Sequence, residues 1–147
     1  MKTEVSPAAR ILLVDDNHHG IAARKTILQE LGYSVESALS GEDAWIMLQA
    51  SPFDLVVTDF RMGGMDGIEL IRLIRGSDSK AKLVLLSGFA GCLGITPESS
   101  GADEVLTKSN KEAQELVRVV KKLLTEPPRR RPASSERAPA RKIDRAV

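Results

Sequence analysis

Three short, uninterrupted apolar runs, Ile11–Val14, Leu55–Val57 and Leu83–Leu86, do most to restrict what this chain can fold into. Runs of this kind are expected of parallel strands covered on both faces. Tyr33–Ser37 alternates more and suits a strand near a sheet edge, and Val105–Thr107 reads as a short fifth strand. Helical patterns lie between these runs. His19–Leu31 carries Ile21, Ile27, Leu28 and Leu31, with Gly32 where a C-terminal cap belongs. Ser40-x-x-Asp43 opens a helix over Gly41–Ala50 with Ala44, Met47 and Leu48 on one face. Asp66-x-x-Glu69 opens a third, carrying Leu70, Ile71, Leu73 and Ile74 and stopped by Gly76. Ser109-x-x-Glu112 reads as a capping box, followed by Ala113, Leu116, Val117, Val120 and Leu124 at helical spacing.

The crossover over Gly88–Gly101 is the exception. It holds Gly88, Gly91, Gly94, Pro97 and Gly101. Each interior glycine costs a helix about 1 kcal/mol relative to alanine, and proline costs more. A short or distorted helix is expected there. Five strands alternating with helices imply right-handed βαβ units and one parallel sheet, an α/β fold.

A length of 147 residues suits one domain, with 42% hydrophobic and 28% charged residues. Its net charge of +1 conceals two unlike parts. Residues 1–126 carry 14 Lys+Arg against 18 Asp+Glu, whereas residues 127–147 carry 7 against 2. The latter stretch, PPRRRPASSERAPARKIDRAV, has few large apolar residues and is expected to be a disordered basic tail. No helix-turn-helix pattern or aromatic interleaving accompanies it, so sequence-specific nucleic-acid binding is not expected. The single cysteine, Cys92, fits a reducing compartment. The start MKTEVSPAAR lacks a signal-peptide core, and no apolar run approaches bilayer length. A cytoplasmic location without a membrane span is the expectation.

The acids carry the chemistry. In open parallel α/β sheets, ligands collect beyond the carboxyl ends of the strands. Asp15 and Asp16 follow the first run and Asp59 follows the third. If those strands are neighbours, the three carboxylates converge. Two carboxylates about 5 Å apart repel by about 3 kcal/mol at an effective dielectric near 20. A hard divalent cation relieves this, and Mg²⁺ is preferred because it keeps waters for a phosphoryl group. Ser87 and Lys108, at two further strand ends, add a hydroxyl and a fixed cation. Carboxylate nucleophile, divalent ion, hydroxyl and lysine together suit a transferring phosphoryl group. Other residues have plainer readings. Asp43 and Asp66 suit helix caps, His18 and His19 a solvated helix start, Met62 and Met65 loop packing, and Trp45 and Phe53 the core.

Leu12-Leu-Val-Asp-Asp16, Asp59 before Arg61-Met-Gly-Gly-Met-Asp-Gly67, Ser87 and Lys108 resemble the signature of response-regulator receiver domains of two-component signalling. The resemblance covers residues 9–126, leaving 1–8 as an N-terminal extension and 127–147 as the tail. It implies a doubly wound, flavodoxin-like (βα)5 fold with strand order 2-1-3-4-5. It also implies that Asp59 is the phosphoacceptor, taking a phosphoryl group from a histidine kinase or phosphotransfer protein. Asp16, Asp59 and the backbone carbonyl of Arg61 would bind Mg²⁺, Asp15 would act through a metal-bound water, Ser87 would hydrogen-bond the phosphoryl group and Lys108 would pair with it. Self-phosphorylation and autodephosphorylation of this kind belong to a stand-alone signalling module rather than a turnover enzyme. Its output would be protein–protein contacts with a downstream target.

Three positions depart from the family pattern. Val105 stands at the switch position where the family has Tyr or Phe, Ser109 replaces the proline after the lysine, and Gly63 replaces the loop proline. Arg61 and Phe89 occupy positions that tune phosphoryl lifetime in the family, and the bulk of Phe89 would hinder the attacking water. The alternative reading is a non-phosphorylated interaction module with the receiver fold and a diverged switch. The missing aromatic favours that alternative, and the complete acidic set opposes it.

Overall fold

The three apolar runs become the centre of a five-stranded sheet. The computed structural model describes residues 8–88 and 94–126. In chain order the elements are β1 (Arg10–Val14), α1 (His18–Glu30), β2 (Ser34–Ala38), α2 (Gly41–Ala50), β3 (Leu55–Asp59), α3 (Gly67–Arg75), β4 (Lys82–Ser87), α4 (Pro97–Ser100), β5 (Glu104–Thr107) and α5 (Glu112–Thr125). The strand order is 2-1-3-4-5, and every pairing is parallel. All residues of β3 and β4 are buried, whereas in β2, at an edge, only Val35 and Ala38 are.

Because strand side chains alternate, the sheet feeds two cores. Ile11, Leu13, Val35, Val57 and Leu86 pack with Leu28 of α1 and with Leu116, Val119, Val120 and Leu123 of α5. Leu12, Val14, Val56, Leu83 and Leu85 pack on the other face with Ala44 of α2 and Leu70, Ile71 and Ile74 of α3. Phe53 is buried in this second core and Trp45 lies at its border, as read from the sequence. Leu31 and Leu73, placed on inward faces by spacing alone, are exposed. Leu31 lies just past α1, and Leu73 lies beyond the inward stripe formed by Leu70, Ile71 and Ile74.

Helix starts decide where the loops lie. Asn17 accepts hydrogen bonds from the His19 and Gly20 amides at the head of α1, and Ser40 accepts one from Asp43 at the head of α2. Asp66 and Glu69 form a reciprocal capping box at α3. The box expected at α5 is not made. The Ser109 hydroxyl accepts the Lys111 amide instead, and α5 begins without a side-chain cap. Glu112 has another use, since its carboxylate takes the Arg24 side chain at 2.6 Å. The inward face of α5 is also shifted, with Val119 and Leu123 buried and Ala113 exposed. In the glycine-rich crossover, the described helix is the four-residue α4, headed by a Thr96–Ser99 box and ended by Gly101 at φ +84°.

Candidate functional site

Strands β1 and β3 are neighbours, so the carboxyl ends that carry Asp15, Asp16 and Asp59 open into one crevice. One ligand atom from each of the three lies within 4.8 Å of the others. Asp15 is 3% and Asp59 6% exposed, whereas Asp16 faces solvent. Three hard oxygen donors this close, two of them buried, fit a small divalent cation such as Mg²⁺.

Each acid is held differently. Asp59 receives the Lys108 ammonium, Nζ lying 2.5 Å from Oδ1. Asp15 accepts the Asn17 amide on Oδ1 at 3.0 Å and Arg24 Nη1 on Oδ2 at 2.8 Å. Asp16 accepts the Gly63 amide at 3.4 Å, from the loop that follows Asp59. Burial pushes the Asp59 carboxyl above the usual carboxylate range. The hydrogen bond from Lys108 offsets part of that rise, and the charge of Asp15 adds to it.

The remaining candidate residues fall around these acids. Ser87, 3% exposed, ends β4 beside Asp59, whose register partner is Leu86. Its carbonyl accepts the Lys108 amide at 3.0 Å, so the hydroxyl-bearing and lysine-bearing strand ends are tied together. Arg61 is exposed, with its guanidinium 5.4 Å from the centre of the Phe60 ring. Val105 is half-buried and packs against the second core. Phe89 lies outside the described residues, as does Cys92. His18 and His19 are exposed at the start of α1, and Asp66 caps α3, in agreement with their plain readings.

Two contributors escape a reading of the sequence. Gly67, the first residue of α3, is buried so closely under β3 that a Cβ there would run into the Asp59 carbonyl oxygen. Arg24 stands on the inward stripe of α1 with Ile21 and Leu28 and bridges Asp15 to Glu112. A charge at an apolar position of a helix was its only signal. A groove of about 1150 Å³ lies at the amino-terminal ends of the strands, the opposite end of the sheet from the acids, lined by Trp45, Phe53, Lys82 and Leu124 among others. It is remote from the acids.

The chain matches the response regulator receiver domain family over residues 11–121. It belongs to that family. The receiver is 33% identical over 129 residues to a gliding motility regulatory protein of Myxococcus xanthus, with 80% of this chain and 16% of that protein covered. Over 116 residues it is 33% identical to the response regulator receiver protein CpdR of Brucella abortus, with coverages of 78% and 96%. Among solved structures it is similar to the response regulator TrrA of Thermotoga maritima, crystallised with Mg²⁺ and BeF. That similarity has a TM-score of 0.69 and 36% identity, covering 78% of this receiver and 98% of that chain. The 2-1-3-4-5 sheet is the one the sequence resemblance implied. Among the described residues, no helix is long and apolar enough to cross a membrane.

Proposed function

We propose that this receiver accepts a phosphoryl group on Asp59 from the phosphohistidine of a histidine kinase or phosphotransfer protein, in a Mg²⁺-dependent reaction. The observation that carries this reading is the pairing of a buried Asp59 with Lys108 at 2.5 Å inside a three-carboxylate crevice. Asp16, Asp59 and the Arg61 backbone carbonyl are the residues that would hold the cation, with Asp15 acting through a water. When bound, the cation supplies charge neutralisation for the carboxylates and for the phosphoryl oxygens.

The chain's own residues do the rest. An Asp59 oxygen attacks phosphorus and forms an O–P bond while the N–P bond to the donor imidazole breaks. The imidazole nitrogen leaves with the bonding pair. Lys108 offers its ammonium to the negative charge on the transferring group, and Ser87 offers a hydroxyl beside it. Burial of Asp59 keeps water from competing for its oxygens. Arg61, two residues after the acceptor, and Phe89, two residues after Ser87 in the sequence, set how fast water removes the phosphoryl group. The receiver acts in the cytoplasm and signals through protein contacts with a downstream target, and Val105 at the switch position makes that output independent of an aromatic rotamer.

The test is incubation with Mg²⁺ and a small acyl-phosphate donor, read by intact mass. A phosphoryl increment that disappears without Mg²⁺ and in Asp59→Asn is the expected outcome. Absence of an increment with every donor contradicts the reading.

A further inference from the structure

Arg24 has a position that chemistry must account for. It is 9% exposed, on the stripe of α1 that otherwise buries Ile21 and Leu28. An apolar side chain there would pack without any charge to compensate, and a buried guanidinium is sustained only by partners. Arg24 has two. Its Nη1 donates to Asp15 Oδ2 at 2.8 Å, and its Nε donates to Glu112 Oε2 at 2.6 Å. These bonds outweigh the burial that opposes its charge, so the guanidinium stays protonated. Each oxygen of Asp15 therefore already takes one donor, since Oδ1 accepts the Asn17 amide. The space is filled as well, because a Cβ on Gly20 would come within 3.1 Å of Asp15 Oδ2 and 3.2 Å of Arg24 Nη1.

We infer that Arg24 is a positioning residue that shares Asp15 with the divalent cation, so that Arg24 and the cation each weaken the other's hold on that carboxylate, with Glu112 setting how strongly Arg24 competes. The inference rests on reading Asp15, Asp16 and Asp59 as the cation site. A guanidinium and a divalent cation around one carboxylate repel each other, and binding linkage makes the effect reciprocal. Glu112 draws part of the guanidinium's charge away from the crevice. Glu112 also opens α5, four residues after Lys108, which itself pairs with Asp59. Asp15–Arg24–Glu112 therefore joins the acidic crevice to the start of α5 by a second route.

The two ends of this bridge predict opposite signs, which a merely structural role would not. Mg²⁺ alone is titrated into the full chain by calorimetry, with folding checked by circular dichroism. Arg24→Met is expected to bind Mg²⁺ about tenfold more tightly than wild type. Glu112→Gln is expected to bind it several-fold more weakly, and Arg24→Lys, which keeps the charge, to stay near wild type. Unchanged or weaker binding in Arg24→Met, or shifts of the same sign in both neutralised variants, overturns the inference. If Arg24→Met does not fold, Glu112→Gln decides alone, and unchanged or tighter binding overturns it. Asp16→Asn separates the underlying reading from this one. A wild-type chain that binds no Mg²⁺, or binds it equally after Asp16→Asn, overturns the cation site itself and the inference with it.

Discussion

Lys108, one residue past β5, reaches across the end of β4 to place its Nζ 2.5 Å from Oδ1 of Asp59 at the end of β3. Loss of a preorganised cation beside developing negative charge typically costs about 10²-fold in rate. Lys108→Met is therefore expected to slow phosphoryl incorporation by about that factor while Asp59 remains the acceptor. Initial rates from intact mass check this, and an unchanged rate would remove Lys108 from the mechanism.

The crowding of Asp59 also makes a stability prediction. Its carboxyl titrates above the ordinary range because it is buried and faces Asp15, despite Lys108. Between the ordinary pKa and the raised one, the native state binds more protons than the unfolded chain. Asp59's contribution to stability therefore falls as pH rises through that window and stays low above it. Without divalent ions, Asp59→Asn is expected to melt a few degrees above wild type at neutral pH, with the gap closing as the solution is acidified. Thermal melts across pH read this directly. An asparagine variant that is less stable at neutral pH contradicts it.

Gly67 joins α3 to the floor of the site. A Cβ there would meet both the Asp59 carbonyl oxygen and the side chain of Leu85. Gly67→Ala is expected to cost about 2 kcal/mol through overpacking. Because the clash is with Asp59's own backbone, the phosphorylation rate should fall with it. Denaturant melts and initial rates check the pair, and a variant that loses neither shows that the loop relaxes freely.

The parts of this fold that are legible from residues are those decided locally. Ile11–Val14, Leu55–Val57 and Leu83–Leu86 are apolar on both faces because both faces are covered, so period and run length suffice to find them. The acids at their ends follow once β1 and β3 are adjacent. What local pattern misreads is set by partners distant in sequence. Ser109 and Glu112 have capping-box spacing, but Glu112 is taken by Arg24, 88 residues away. Arg24 puts a charge at an apolar position of α1, and its use is decided only by the two carboxylates placed beside it.

The two serine-or-aspartate helix starts turn that difference into a measurement. Asp66 and Glu69 exchange hydrogen bonds with each other's backbone at 2.9 Å. Asp66→Ala is expected to cost about 1 kcal/mol and to leave Asp59 phosphorylation intact. Ser109→Ala removes no helix cap and should stay within about 0.5 kcal/mol of wild type. Denaturant melts of both variants check the contrast, and equal losses would contradict the assigned helix starts.

The most direct measurement is to locate the acceptor. After incubation with Mg²⁺ and a small acyl-phosphate donor, borohydride reduction converts an aspartyl phosphate to homoserine, which peptide mass spectrometry places in the chain. Homoserine at position 59 alone is expected. Homoserine at Asp15, Asp16 or Asp66, or at no aspartate in a chain that has taken up phosphoryl mass, would contradict it.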